Sequence, residues 1–389
     1  MKPDQLQPAL AELDTLGLRR RRRVLDGPQG ARVTVDGRDY LSFSSNDYMG
    51  LANHPGIVSA VRLAAASSGV GAGAAHLLTG HHRLHHDLEN ELAAFVGLPA
   101  ALLFSTGYMA NLGVIPALLD RHGEVFEDRL NHASLVDGAI LSRAKLTRYP
   151  HLDLDWLDKT LGESTAQTKL IATDTVFSMD GDLAPLPEML ALAEKHDAWL
   201  YADDAHGFGV LGEAGQGALG HFPLSRGEGS NPRLIYLATL GKAAGVAGAF
   251  VAGSSELIEW LVNRARTYIY TTAQPPLLAA ATSASLKLIA GEIWRRERLR
   301  ELIARLKAGV ADLPWLLMVS DTPIQPLMVG GNVEALRLAD GLRERGILIP
   351  AIRPPTVPQG EARLRISLSA AHTLEDVDAL LAALRELAA

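Results

Sequence analysis

The segment "LIYLATLGKAAGVAGAFVAG", residues 234–253, decides how this chain is read. Two short apolar runs flank a loop of glycines and alanines that holds one lysine, Lys242. Apolar runs of this length, bounded by glycine, fit strands buried on both faces. A surface lysine needs no such setting. A lysine that must approach a bound molecule closely is well served by neighbours with almost no side chain.

Similar runs recur upstream, as "AALLF" (100–104), "LIATDTVF" (170–177) and "AWLYADDA" (198–205), separated by helical patterns such as "LPEMLALAEKHD" (186–197). This alternation, from about residue 46 to 280, predicts an α/β domain with a mostly parallel sheet. Beyond it a long helical stretch, Pro275 to Leu313, leads into "PIQPLMVG", a helix over 333–346, "ILIPAI", "RLRISLS" and a closing helix. That order predicts a smaller C-terminal α/β domain. Ahead of it stand a helix, a basic run (Arg19–Arg23) and a hairpin in "ARVTVDGRDYLSF", where Asp36-Gly37 is a strong turn pair. The expected division is an N-terminal segment over 1–45, a large domain over 46–285 and a small domain over 286–389.

Composition narrows the function classes. Of 389 residues, 48% are apolar and 21% charged, enough for a large core. A net charge of −7 argues against a general binder of nucleic acid or acidic membranes. With no cysteine, disulfides, thiolate catalysis and thiolate-bound zinc are excluded. The first twenty residues do not resemble a secretory signal. Two uncharged stretches, Leu98–Leu119 and Thr267–Leu286, have the length of a membrane span. Both are broken by polar residues, Gly or Pro, so a soluble cytoplasmic protein is expected.

In open parallel sheets, ligands bind beyond the carboxyl ends of the strands. After "AALLF" come Gly107 and Tyr108 at a helix start, where free backbone N–H groups suit a phosphate. After "WLYA" come Asp203, Asp204 and His206, and after "LIYLA" come Thr239 and Lys242. His132 lies in "LNHASLVDG" and Ser178 in "FSMDGD". A phosphate cradle, a carboxylate and a lysine in a bare loop suit pyridoxal 5'-phosphate (PLP). Its aldehyde needs a lysine amine, here Lys242, and its ring nitrogen a carboxylate, here Asp203. Any one of these residues is unremarkable alone; their joint occurrence in chain order carries the reading.

Three other motifs are weighed. "HLLTGHHRLHHDLE" places His76, His81, His82, His85 and His86 within eleven residues. The pairs His81/His85 and His82/His86, four apart, can chelate zinc on a helix face. No His-Glu-x-x-His pattern and no obvious third ligand accompany them, so no metal is expected, and a loop and helix start near the active site is the reading. "GVGAGAAHLLTG" (69–80) lacks both the spacing and the preceding strand of a dinucleotide site. The arginine run lacks aromatic partners and reads as a solvated helix end or a substrate contact.

Taken together, "SFSSNDYMGL", "GAGAAHLLTGHHRLHHDLE", "NHASLVDGA", "FSMDGDLAPL", "DDAHGFGVLG", "TLGKAAGVAGA" and "AIRPPTVPQGEARLRISLSAAHT" resemble the α-oxoamine synthases. These are PLP enzymes with the aspartate-aminotransferase type of fold (PLP fold type I), and the resemblance covers nearly the whole chain. It implies that Lys242 carries the cofactor, Asp203 pairs with the pyridine nitrogen, His206 and Ser178 contact the ring hydroxyl, and His132 stacks on the ring. Gly107, Tyr108 and Thr239 would hold cofactor or phosphate. Arg20, with Arg19 or Arg21 as substitutes, and Thr356 would bind substrate, and Arg353 the amino acid's carboxylate. The implied reaction is a decarboxylative condensation of L-alanine with a pimeloyl thioester, on coenzyme A or a carrier protein, within biotin biosynthesis. Alternatives are a family member using glycine and a shorter acyl-CoA, or a PLP-dependent lyase of the aldolase type. A homodimer is also implied, with Thr271 and Thr272 of "YIYTTAQPP" reaching the neighbour's phosphate.

Overall fold

In the computed structural model, residues 1–15, 18–19, 22–222, 224 and 231–388 are described. The centre is a seven-stranded sheet in the order Ala100–Phe104, Ala249–Gly253, Leu234–Thr239, Ala198–Asp203, Thr168–Asp174, Gly123–Asp128, Lys145–Tyr149. The last five of these strands pair in parallel. Ala249–Gly253 runs antiparallel to both its neighbours. Helices cover both faces, so the strands read as continuous apolar runs rather than alternating ones. The aspartate-aminotransferase-like architecture expected from the sequence is therefore present.

Register aligns the chemistry. Asp174 pairs with Asp203, and Thr239 lies opposite Ala249. The loop carrying Lys242 joins those last two strands and turns at the carboxyl edge of the parallel set. Its small residues are required there. Gly245 has φ +67°, and a Cβ on it would stand 2.5 Å from the Ala52 nitrogen. A side chain at residue 245 would collide with Leu51 and Ala52, and one at residue 248 with Gln274.

Two helix starts feed the same edge. Gly107–Leu118 is capped by Thr106, whose side chain accepts from the Met109 amide at 3.1 Å. Ala133–Ser142 is capped by His132. Each cap satisfies a backbone donor that the helix cannot and fixes where the first turn points.

The C-terminal segment forms an antiparallel sheet of Leu316–Leu317, Ile324–Gly330, Ala362–Ser367 and Ala351–Ile352. The expected N-terminal hairpin is Arg32–Val35 with Arg38–Ser42, turning through Asp36 (φ 51°) and Gly37 (φ 75°). Its second strand pairs in parallel with Ile347–Leu348, so the hairpin shares a sheet with the C-terminal segment. The long helical stretch is two helices, Pro276–Gly291 and Trp294–Val310, bent by 66° at the break. No single helix among the described residues is long and apolar enough to cross a membrane, though the two helices of that bent pair together have the length and composition. The uncharged stretch 98–119 holds the strand Ala100–Phe104 and the helix Gly107–Leu118, as its polar interruptions predict.

Candidate active site

A cavity of about 110 Å³ opens at the carboxyl ends of the central strands. Gly107, Tyr108, His132, Ser178, Asp203, His206, Thr239 and Lys242 all line it, so eight expected residues from five chain segments converge. Ser134, Asp174 and Ala205 complete the wall.

Asp203 and Asp204 are adjacent, and strand alternation sends them to opposite sides. Asp203 faces the cavity. Its carboxylate accepts from the Asn111 amide at 2.9 Å and the Ala205 N–H at 3.1 Å. Asn111 in turn accepts from the Tyr201 hydroxyl at 2.7 Å and donates to Ser134 at 2.8 Å, and Ser134 meets His132 Nδ1 at 2.8 Å. One amide thus fixes the carboxylate and, through Ser134, the His132 ring. Asp204 is structural. It is fully buried and accepts from Tyr236 at 2.7 Å and the Ala218 amide at 2.8 Å, and burial pushes its carboxyl up to about 7.

Lys242 sits partly buried against this set. Burial lowers its proton affinity, opposed in part by Asp203 and Asp174. Burial and the Asp203 charge hold Asp174 well above the usual carboxylate range. Burial, with the nearby Lys242 and Arg365, holds His206 well below the usual imidazole range, and its Nδ1 meets the Tyr48 hydroxyl at 2.7 Å. Burial also lowers His132.

At the helix start expected to take the phosphate, a Cβ on Gly107 would stand 2.6 Å from Thr239 Cγ2. A side chain at residue 107 would therefore force this helix start and Thr239 apart. Thr239 Oγ1 donates to the Ala205 carbonyl at 3.4 Å, while Tyr108 is half-exposed with its hydroxyl on Asp137. An open helix N-terminus, an oriented carboxylate and a lysine across one small cavity fit PLP.

Arg365 was not anticipated. Buried on the strand Ala362–Ser367, it donates to the Ser178 carbonyl at 2.5 Å, Ser367 at 2.8 Å, Asn46 at 3.2 Å and Tyr48 at 3.2 Å. All four partners are neutral, and the charge of the guanidinium is felt at His206 and Lys242. Arg353, the residue expected there, lies elsewhere. With Thr356, Arg19 and Arg23 it lines a second cavity of about 1160 Å³ between the N-terminal helix Leu6–Thr15 and the C-terminal segment. Arg20 and Arg21 lie outside the described residues. Thr271 and Thr272 do not line the Lys242 cavity of their own chain.

The histidine-rich segment forms a turn and a helix start, as its sequence predicts. The helix begins at Arg83, with His82 as its cap, so neither four-residue pair shares a helix face. A third imidazole, from His76 in the preceding π-turn His76–Gly80, packs against His81 and His85 instead. Gly80 makes that turn possible, because a Cβ there would lie 2.0 Å from the Ala74 carbonyl.

A family model described as aminotransferase class I and II matches residues 38–384. The 8-amino-7-oxononanoate synthase of Nitrosomonas eutropha is 61% identical over 388 residues, with all of both chains covered. Among solved structures, SPT with PLP superposes at TM-score 0.90 and 30% identity, covering 98% of this chain and 96% of that one. The 8-amino-7-oxononanoate synthase of Francisella tularensis superposes at TM-score 0.76 and 32% identity, covering 90% and 98%. With the lysine, the carboxylate and the open helix start assembled in one cavity, the chain belongs to the aminotransferase class I and II family, among the relatives named 8-amino-7-oxononanoate synthase.

Proposed function

We propose that the protein is a PLP-dependent acyltransferase that condenses L-alanine with a pimeloyl thioester, releasing carbon dioxide and the free thiol and forming 8-amino-7-oxononanoate. The observation that carries this reading is the joint lining of one cavity by Lys242, Asp203 and Gly107 in a chain 61% identical to a synthase of that name. Bound PLP supplies an aldehyde for an amine and a ring that delocalises the electron pair left when an α-proton departs.

The chain's residues supply the rest. The open N-terminus at Gly107, with Tyr108 and Thr239, holds the phosphate. Asp203, oriented by Asn111, would pair with the ring nitrogen, His132 would stack on the ring, and His206 and Ser178 would serve its hydroxyl. Lys242 would provide the amine for the aldehyde and, once the amine of L-alanine has taken its place there, would take the α-proton; burial favours the free amine that a base must offer. Arg365, whose partners are all neutral, is better placed than Arg353 to receive the alanine carboxylate. Arg353 and Thr356, on the larger cavity with Arg19 and Arg23, then serve the thioester, as does Arg20 by its place in the same run. A cytoplasmic homodimer sharing its sites through Thr271 and Thr272 completes the proposal, as does the division into 1–45, 46–285 and 286–389.

Free-thiol release by PLP-loaded protein tests it. Release with L-alanine and pimeloyl-CoA, and not with glycine and acetyl-CoA, is expected. Release only with the second pair would keep the mechanism and change the substrate. Silence with both, and with pimeloyl-carrier protein, would favour the lyase alternative.

A further inference from the structure

Two carboxylates, Asp174 and Asp203, line the Lys242 cavity, and the proposed reaction uses only one. They are register partners on neighbouring parallel strands, so their side chains leave the same face of the sheet from backbones about 4.8 Å apart. Both are buried. Two carboxylates this close, and this far from water, do not both ionise readily. Hydrogen bonding decides which of them keeps the charge. Asp203 has two donors, the Asn111 amide and the Ala205 N–H. Among the described residues Asp174 has one, the His132 N–H, at 2.9 Å from Oδ2. The other groups that act on Asp174 are Asp203, Lys242 and, on the strand at its other side, Asp128, which His151 already holds.

We propose that Asp174 is a positioning residue for His132: it holds that residue's backbone with a neutral carboxyl group and leaves Asp203 to carry the negative charge facing the ring nitrogen. The inference rests on the reading of this cavity as a PLP site. Asp174 is one half of a clasp. Its own N–H donates to Asn131 Oδ1 at 3.1 Å, and the Asn131 amide donates to the Ala172 carbonyl at 2.8 Å. With the His132 bond, these fasten the chain just ahead of the helix Ala133–Ser142 to the strand Thr168–Asp174. They set where His132 joins the cavity wall.

The ring of His132 is turned by a different partner, Ser134, which meets Nδ1 at 2.8 Å and is itself tied through Asn111 to Asp203. The two carboxylates thus serve one histidine from two sides, Asp174 at its backbone and Asp203 at its ring. A neutral carboxyl still offers a carbonyl oxygen to the His132 N–H. An ionised one would set a second negative charge beside Asp203 with a single donor to stabilise it. It would also favour the cationic form of Lys242, the form that cannot take a proton.

The test follows the absorption of bound PLP against pH in the loaded protein. Asp203→Asn strips the ring nitrogen of its charge partner and should shift the pH of the absorption change by about 1 unit or more. Asp174→Asn exchanges a neutral carboxyl for a neutral amide that keeps an acceptor for the His132 N–H, and should shift it by less than about 0.3 unit. Asp174→Ala alters no charge but removes the anchor. The induced circular dichroism of bound PLP, which reports how the ring is held, should be largely lost in Asp174→Ala and retained in Asp174→Asn. A shift of about 1 unit or more in Asp174→Asn, as loss of a real charge would give, would overturn the assignment. So would undiminished dichroism in Asp174→Ala. A parent protein that binds no PLP would overturn the proposed function as well.

Discussion

Replacing Gly107 with Ala probes the phosphate cradle through a single contact. The added Cβ would meet Thr239 Cγ2 at 2.6 Å, where ordinary contacts begin at 3.4 Å, so the pair must separate by about 0.8 Å. Overpacking of this kind costs about 1–3 kcal/mol. If that strain falls on the helix start that receives the phosphate, PLP binds about 5- to 150-fold more weakly. The contact is with a methyl, so the remedy is specific. Thr239→Ser removes Cγ2 while keeping the hydroxyl that donates to the Ala205 carbonyl. PLP affinity, followed by absorbance or fluorescence titration of the stripped protein, should fall in Gly107→Ala and recover most of the loss in the double variant. The four affinities form a double-mutant cycle whose coupling should exceed 0.5 kcal/mol. A Gly107→Ala protein that binds PLP normally, or a loss that Thr239→Ser leaves untouched, would refute the reasoning.

Other outcomes follow from the same geometry. Lys242→Ala should abolish thiol release with the fold intact by circular dichroism; substantial turnover would remove Lys242 from the chemistry. Arg365→Gln should raise KM for L-alanine at least tenfold, whereas Arg353→Gln should act mainly on KM for the thioester. The reverse pattern would restore Arg353 to the carboxylate role. His151 gives a pH dependence. Burial alone would lower its ring, but Asp128 at 3.0 Å and Asp182 at 2.7 Å outweigh this and lift it from 6.5 to about 9. A folded-state value raised in this way stabilises fully below pH 6.5 and is lost as pH rises through 9, for about 1–3 kcal/mol after allowance for its partial exposure. Denaturant midpoints should therefore fall between pH 7 and 10, and His151→Gln should flatten that fall; an unchanged slope would count against the bridge.

The residues legible in the sequence are those whose position follows from local pattern. Lys242, Asp203 and Gly107 follow apolar runs, and the end of a strand in a parallel sheet is a place as well as a residue. Arg365 had no such mark. It lies in "RLRISLS", where Arg363 and Arg365 alternate with apolar residues and read as the wet face of a strand. Both are buried, and their partners, Asp180, Ser178, Tyr48 and Asn46, lie some 180 to 320 residues away in the chain. Two arginines on one face of a strand were the available hint. Asn111 was likewise hidden inside an apolar helix, where a lone amide carries no sign of the carboxylate it orients. The third imidazole of the histidine cluster escaped because spacing rules assume one helix, and the chain supplies a turn and a helix instead.

The sheet shared by the two ends of the chain has a bearing on how the protein is made. Arg38, on the hairpin's second strand, donates to the Glu344 carbonyl 306 residues later. A ribosome adding about 5–20 residues per second needs about 15–60 s to deliver that partner. Through that interval the hairpin edge that Ile347–Leu348 will cover is open to any strand that drifts past. The edge is short, five residues that begin with Arg38 and Asp39, and those charges guard the nascent chain while most of it is still being written.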